Sequence, residues 1–145
     1  MTEIAFHVNV PEKLAYSCRL LRKAYSTGAR VTVIGEPEML TELDQLLWSF
    51  SPTEFLPHCR ADAPAGVISA SPIVLAGSIS SLSQHEVLVN LGQAIPQDFE
   101  RFDRIVEVVA SAHEDAAAGR GRWKHYAARG YALTKYDRAG VGEAT

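Results

Sequence analysis

The chain has 145 residues, 47% apolar and 21% charged, the balance of an ordinary soluble globular protein with enough length for one domain and a real core. Its apolar runs are far too short to span a bilayer, and its start, MTEIAFHVNV, lacks the basic opening and long apolar stretch of a signal peptide, so a cytoplasmic location with no membrane partner is expected. The net charge of −3 is divided unevenly, with 8 basic and 15 acidic side chains in residues 1–119 and 6 basic and 2 acidic ones in residues 120–145, which argues against the whole chain being drawn to DNA and leaves room for a local acidic ligand near the end.

Ile4 to Val10, IAFHVNV, alternates apolar and polar residues and predicts a first strand. Pro11 suits the first turn of a helix. From Glu12 to Thr27, Leu14, Cys18, Leu21 and Tyr25 recur at helical spacing, Arg19, Arg22 and Lys23 point away from them, and Gly28 ends the helix. RVTVIG, from Arg30 to Gly35, predicts a second strand parallel to the first, a βαβ unit and hence an α/β fold. Pro37 opens a second helix whose apolar face is Leu40, Leu43, Leu46, Leu47 and Phe50. Trp48 falls about 130° from the centre of that face, beside Thr41, Asp44 and Gln45, and so is expected to face outward.

EFLPHCR reads as a short strand, and the Ala/Pro/Gly/Ser-rich residues 61–72 read as a mobile loop. IVLAG and EVLVNLG read as buried strands, and FDRIVEVVAS as a further one on its β-branched content. HEDAAAGRGRWKHYAARG predicts a helix with acids at its start, cations towards its end and Gly130 as its stop. One domain spans residues 1–145, with a short basic tail from about residue 134.

The chemistry legible in this order is sparse. The turn after the first strand, NVPEK, is not glycine-rich, and no GxxxxGK[ST] occurs, so no nucleotide is expected there. His7, His58, His85, His113 and His125 are scattered, and Cys18 and Cys59 form no CxxC. No metal, cofactor or catalytic group is therefore expected. Two surfaces remain. Arg120, Trp123, Lys124 and Ala127 fall at i, i+3, i+4 and i+7 and form one helical stripe. Trp48, followed by Phe55, Leu56 and Pro57, makes an apolar contact patch. For each, the plainer alternative is a tryptophan that packs inward or under a loop.

Several segments together resemble a known family. FHVN, KLAYSCRLLRKAYSTGARVTV, LDQLLWSFSPTEFLPH, EVLVNLG, FERFDRIVEVV and EDAAAGRGRWKHYAARGYAL make the chain similar to the chi subunits of bacterial DNA polymerase III. The resemblance implies a three-layer α/β sandwich with a mainly parallel central sheet, Rossmann-like but without a nucleotide-binding loop. It implies a non-catalytic accessory subunit of the replicative polymerase, with two partners. One is the C-terminal tail of single-stranded DNA-binding protein, a short peptide with aspartates and a terminal proline and phenylalanine, held by Arg120, Trp123, Lys124 and Ala127. The other is the psi subunit of the clamp loader, met by Trp48, Phe55, Leu56 and Pro57. Single-stranded DNA is then contacted only indirectly or weakly. A direct single-strand binding module using the basic C-terminal helix, and an unrecognised α/β enzyme, are the competing readings. Gly119 and Gly121 flank Arg120, and each is expected to weaken the helix by about 1 kcal/mol relative to alanine.

Overall fold

The computed structural model describes residues 2–49, 56–79 and 82–139. In chain order the elements are β1 (Glu3–Val10), α1 (Lys13–Ser26), β2 (Val31–Ile34), α2 (Pro37–Ser49), β3 (His58–Arg60), α3 (Ala65–Ala70), β4 (Ile73–Ala76), β5 (Val87–Asn90), β6 (Arg104–Ala110), α4 (His113–Ala128) and β7 (Leu133–Asp137), with a 3₁₀ turn at Phe99–Arg101. The strands form one seven-stranded sheet in the order β3-β4-β2-β5-β6-β1-β7, and every ladder is parallel.

A parallel sheet covered on both faces needs strands that are apolar throughout, and VTVI and IVLA, buried at every position, supply them. Val31, Val33, Ile73, Leu75, Val106 and Val108 point to one face, where Leu21 of α1 and Leu40, Leu43 and Leu47 of α2 complete the core. Ile4, Phe6, Leu88, Ile105 and Val109 point to the other, where Tyr126 of α4 packs with Phe99 and Phe102. The architecture is thus the expected three layers.

Strand β1 changes face before it ends. Its register against β6 shifts between His7 and Val10, and Asn9 takes a φ of 57°, a left-handed conformation that asparagine tolerates better than most residues. This bulge sends Val10 into the α1/α2 core, whereas Ile4 and Phe6 belong to the α4 core. Just beyond, β1 feeds α1 on one face while its neighbour β6 feeds α4 on the other. Doubly wound sheets bind ligands in the crevice at such a point. Here Lys13 and Asp115 fill the place with an ion pair of 2.9 Å between two largely buried side chains. Asp115 also accepts the backbone N–H of Ala110 at 2.6 Å. Burial lowers the pKa of Lys13, with Asp115 pulling the other way.

Three expectations need correction, and a fourth falls outside the described residues. Residues 65–70, read as part of a loop, form α3, since Ala65 to Ala70 close one helical turn after Pro64, a residue suited to a helix start. Leu46, placed on the apolar face of α2, is 39% exposed, because only Leu40, Leu43 and Leu47 reach the sheet. The segment from about residue 134 is not a tail at its start: it pairs with β1 as β7, an edge strand whose side chains from Thr134 on are exposed. Phe50 lies outside the described residues.

The two glycines of α4 have opposite reasons. A Cβ on Gly119 would meet Val109 Cγ1 at 2.8 Å, so its absence lets α4 approach β6. A Cβ on Gly121 would meet nothing within 4 Å. Gly121→Ala will therefore stabilise the fold by about 1 kcal/mol, the helix propensity difference. Gly119→Ala will destabilise it by about 1–3 kcal/mol through overpacking. Urea unfolding of the two variants checks both signs; equal shifts would mean that the contact with Val109 relaxes freely.

Candidate functional site

Along α4, Asp115, Gly119, Arg122 and Tyr126 face inward. Arg122, which reads in sequence as one of a run of cations, is 2% exposed and bonds through Nε to Oε1 of Glu107 on β6 at 2.8 Å. The Glu107 carboxylate is fully buried and also accepts hydrogen bonds from the Tyr126 hydroxyl at 2.7 Å and from Asn90 Nδ2 at 3.0 Å. Burial pushes the Glu107 carboxyl up from its ordinary pKa, while Arg122, Tyr126 and Asn90 oppose the shift. The Tyr126 hydroxyl is pushed up by burial and then by the neighbouring carboxylate, which keeps it a donor. This network fixes the rotation of α4 about its axis.

That rotation turns the adjacent stripe toward the edge of the sheet. Arg120, Trp123 and Lys124 line a groove of about 380 Å³ with Phe6, Val8 and Asn9 of β1, Val109 and Ala110 of β6, Ala116 and Gly119 of α4, and Lys135 of β7. Trp123 is half-buried, its ring in a T-shaped contact with that of Phe6 at 5.1 Å and 68°. It therefore packs against the core and lines the groove as well. Arg120 and Lys124 are exposed on the α4 bank, and Lys135, the register partner of Phe6, is exposed on the β7 bank. Ala127 is exposed and lies outside the residues that line the groove. Sequence reasoning missed Phe6, Val8 and Lys135. The alternation of β1 carries the first two; Lys135 becomes visible only once LTKYD is recognised as a strand.

The other surface is on the opposite face of the sheet. Trp48, at the end of α2, is 61% exposed and lies against the His58 ring at 5.1 Å. His58 bonds through Nε2 to Asp44 Oδ1 at 3.0 Å and through Nδ1 to the Leu56 carbonyl at 2.6 Å, tying the start of β3 to α2. Pro57 is half-buried. Leu56 is 3% exposed and belongs to the α1/α2 core, so its side chain is not part of the surface patch. Phe55 lies outside the described residues. Among the described residues, no group of three or more His, Cys, Asp or Glu side chains is placed to hold a metal, and no helix is long and apolar enough to cross a membrane.

The family described as "DNA polymerase III chi subunit, HolC" matches residues 1–134. The DNA polymerase III subunit chi of Pseudomonas aeruginosa is 30% identical over 139 residues, covering 92% of this chain and 94% of the relative. That of Haemophilus influenzae is 27% identical over 119 residues, covering 81% and 82%.

Proposed function

We propose, from the premise that this chain belongs to the DNA polymerase III chi subunit family, that it is a non-catalytic accessory subunit holding two partners at once. The α4 groove takes the acidic C-terminal tail of single-stranded DNA-binding protein. The Trp48 surface joins the clamp loader through psi. Polymerisation belongs to another chain of the complex.

The observation that carries this reading is the composition of the groove. Its floor is apolar and aromatic, from Phe6, Val8, Val109 and Trp123, and its two banks carry Arg120 and Lys124 on one side and Lys135 on the other. A peptide with aspartates and a terminal phenylalanine needs cations for its carboxylates and an apolar slot for its ring. A fluorescent tail peptide titrated with this chain is expected to bind with micromolar affinity, about 8 kcal/mol, a strength that allows exchange. Binding of an oligonucleotide at the groove, blocked by the Arg120 and Lys124 substitutions, with no binding of the peptide, would overturn the reading.

The Trp48 surface is supported by exposure on a helix whose other side is committed to the core. Trp48→Ala is expected to leave the melting temperature nearly unchanged and to reduce capture of the psi subunit in a pull-down, since contact anchors are commonly tryptophans. A large loss of stability would place Trp48 in the packing instead. Because α2 and α4 lie on opposite faces of the sheet, tail peptide should bind equally well with and without psi. Displacement of psi by the peptide would contradict a bridging role.

A further inference from the structure

The excess of acids in residues 1–119 hides a second basic concavity. It lies on the α1 face, across the sheet from the α4 groove, where the β1–β7 side of the sheet is left open. One cavity, of about 680 Å³, is lined by His7, Tyr16, Arg19, Arg22, Lys23, Tyr25 and Arg138, among others, and no carboxylate lines it among the described residues. A second, of about 650 Å³, shares His7, Leu20, Lys23 and Arg138 with the first and continues over β1 and β7 to Arg104, Thr134 and Tyr136, with Glu3 the acid among its lining residues. The two form a continuous trough.

Helical spacing explains half of it. Arg19, Arg22 and Lys23 occupy the side of α1 turned away from its buried residues Tyr16, Ser17, Cys18 and Leu21. The other half comes from β7, whose alternation sends Tyr136 to this face while Lys135 goes to the α4 groove. Arg138 follows β7, its backbone N–H bonded to the Val8 carbonyl at 2.9 Å and its guanidinium 5.7 Å from the centre of the Tyr16 ring. The Nε atoms of Arg19 and Arg138 are buried and have no hydrogen-bond partner among the described residues. Burial first, and then the charges of Arg138 and Lys23, hold His7 down to about 4. At the margins, Tyr25 is 39% and Tyr136 47% exposed.

We propose that this trough is a binding site for single-stranded nucleic acid, with Arg19, Lys23 and Arg138 on its phosphates and Tyr25 and Tyr136 against its bases. Phosphates need a one-sign track, and a cleft of one sign focuses its field on the ligand even when the net charge of the protein opposes it. Bases need exposed aromatic faces, which a sequence-tolerant single-strand site supplies along such a track. The α4 groove differs, since its tryptophan is packed in a T-shaped contact against Phe6. The site is independent of the tail groove, and among the described residues it shares Leu56 alone with the patch that the resemblance assigns to psi.

The test is fluorescence anisotropy of a labelled oligothymidylate with the full chain at rising salt. Binding is expected at low salt, with log affinity falling against log salt by about 0.7 per phosphate engaged. Arg19→Glu/Lys23→Glu should weaken it at least about tenfold, and Tyr25→Ala about fivefold or more. Arg120→Ala/Lys124→Ala should leave it unchanged, and Arg19→Glu/Lys23→Glu should leave tail-peptide affinity unchanged, so that failure of one site is read separately from the other. No binding at low salt, or binding indifferent to both Arg19→Glu/Lys23→Glu and Tyr25→Ala, overturns the proposal. So does displacement of the oligonucleotide by an equal concentration of polyglutamate, which would assign the trough to an acidic protein. Tyr25 is exposed, so Tyr25→Ala keeps the test decisive even if the charge reversal unfolds the chain.

Discussion

Glu107→Gln will cost the fold about 3–5 kcal/mol, because it leaves the Arg122 charge buried without its counter-ion. The pair is 2.8 Å apart, with side-chain exposures of 2% and 0%, so water cannot take over. The loss is expected as a lower midpoint in urea unfolding. The pair is not itself a large source of stability, since two charges lose their hydration to meet there. A triple variant, Glu107→Leu/Arg122→Met/Tyr126→Phe, should therefore recover most of the loss. Tyr126 must change too, because its hydroxyl donates to Glu107 and would otherwise be orphaned at a cost of about 1–3 kcal/mol, whereas Asn90 Nδ2, the other donor, keeps its bond to the Ala94 carbonyl at 3.1 Å. If Glu107→Gln unfolds at the wild-type midpoint, the side chains are not the buried ion pair described.

Arg120→Ala and Lys124→Ala will each weaken tail-peptide binding by about 1–3 kcal/mol, a loss of about 5- to 150-fold, if the groove holds carboxylates through charge-assisted bonds. The two side chains are exposed and adjacent in the groove lining, so their effects should couple rather than simply add. Raising salt should weaken wild-type binding and affect the double variant less. Lys135→Ala tests the opposite bank, and a loss there would show that the peptide lies between α4 and β7. Unchanged affinity in all three variants, with native circular dichroism, would remove the groove from the proposed function.

Much of this was legible in the chain because the elements that make the core repeat with clean periods. Leu40, Leu43 and Leu47 mark the buried side of α2 and leave Trp48 outside, as found. Gly28 and Gly130, with φ of 83° and 84°, end their helices where a left-handed residue is needed. What was illegible depends on partners distant in sequence. Arg122 reads as one more surface cation beside Arg120 and Lys124, and only the approach of Glu107 from β6 and Gln93 from the loop after β5 makes it a core residue. Strand β7 pairs on one side only, with β1, and its mostly exposed side chains lack the apolar run that marked β2 and β4. Without β7, neither Lys135 nor Tyr136 could be assigned to a face. The basic trough was hidden for the same reason, since it joins a helix near residue 20 to a strand near residue 136.

The α4 groove is assembled from residues 6–9 and 109–135, so that the first strand of the chain lies in its floor and the last strand, beside it, forms one bank. A nascent chain carries β1 for almost the whole of its synthesis without the surface that will cover Phe6. Until about residue 126 has left the ribosome, that ring lacks its Trp123 and Tyr126 cover, and until β7 follows, β1 keeps an unpaired edge, the kind of surface that invites wrong pairing or chaperone capture. The same arrangement makes recognition a report on completeness. A chain that stalls or is clipped before β7 loses one bank of the groove, and with it the edge that should hold an acidic ligand. Only molecules that have closed β7 onto β1 can then present a whole site.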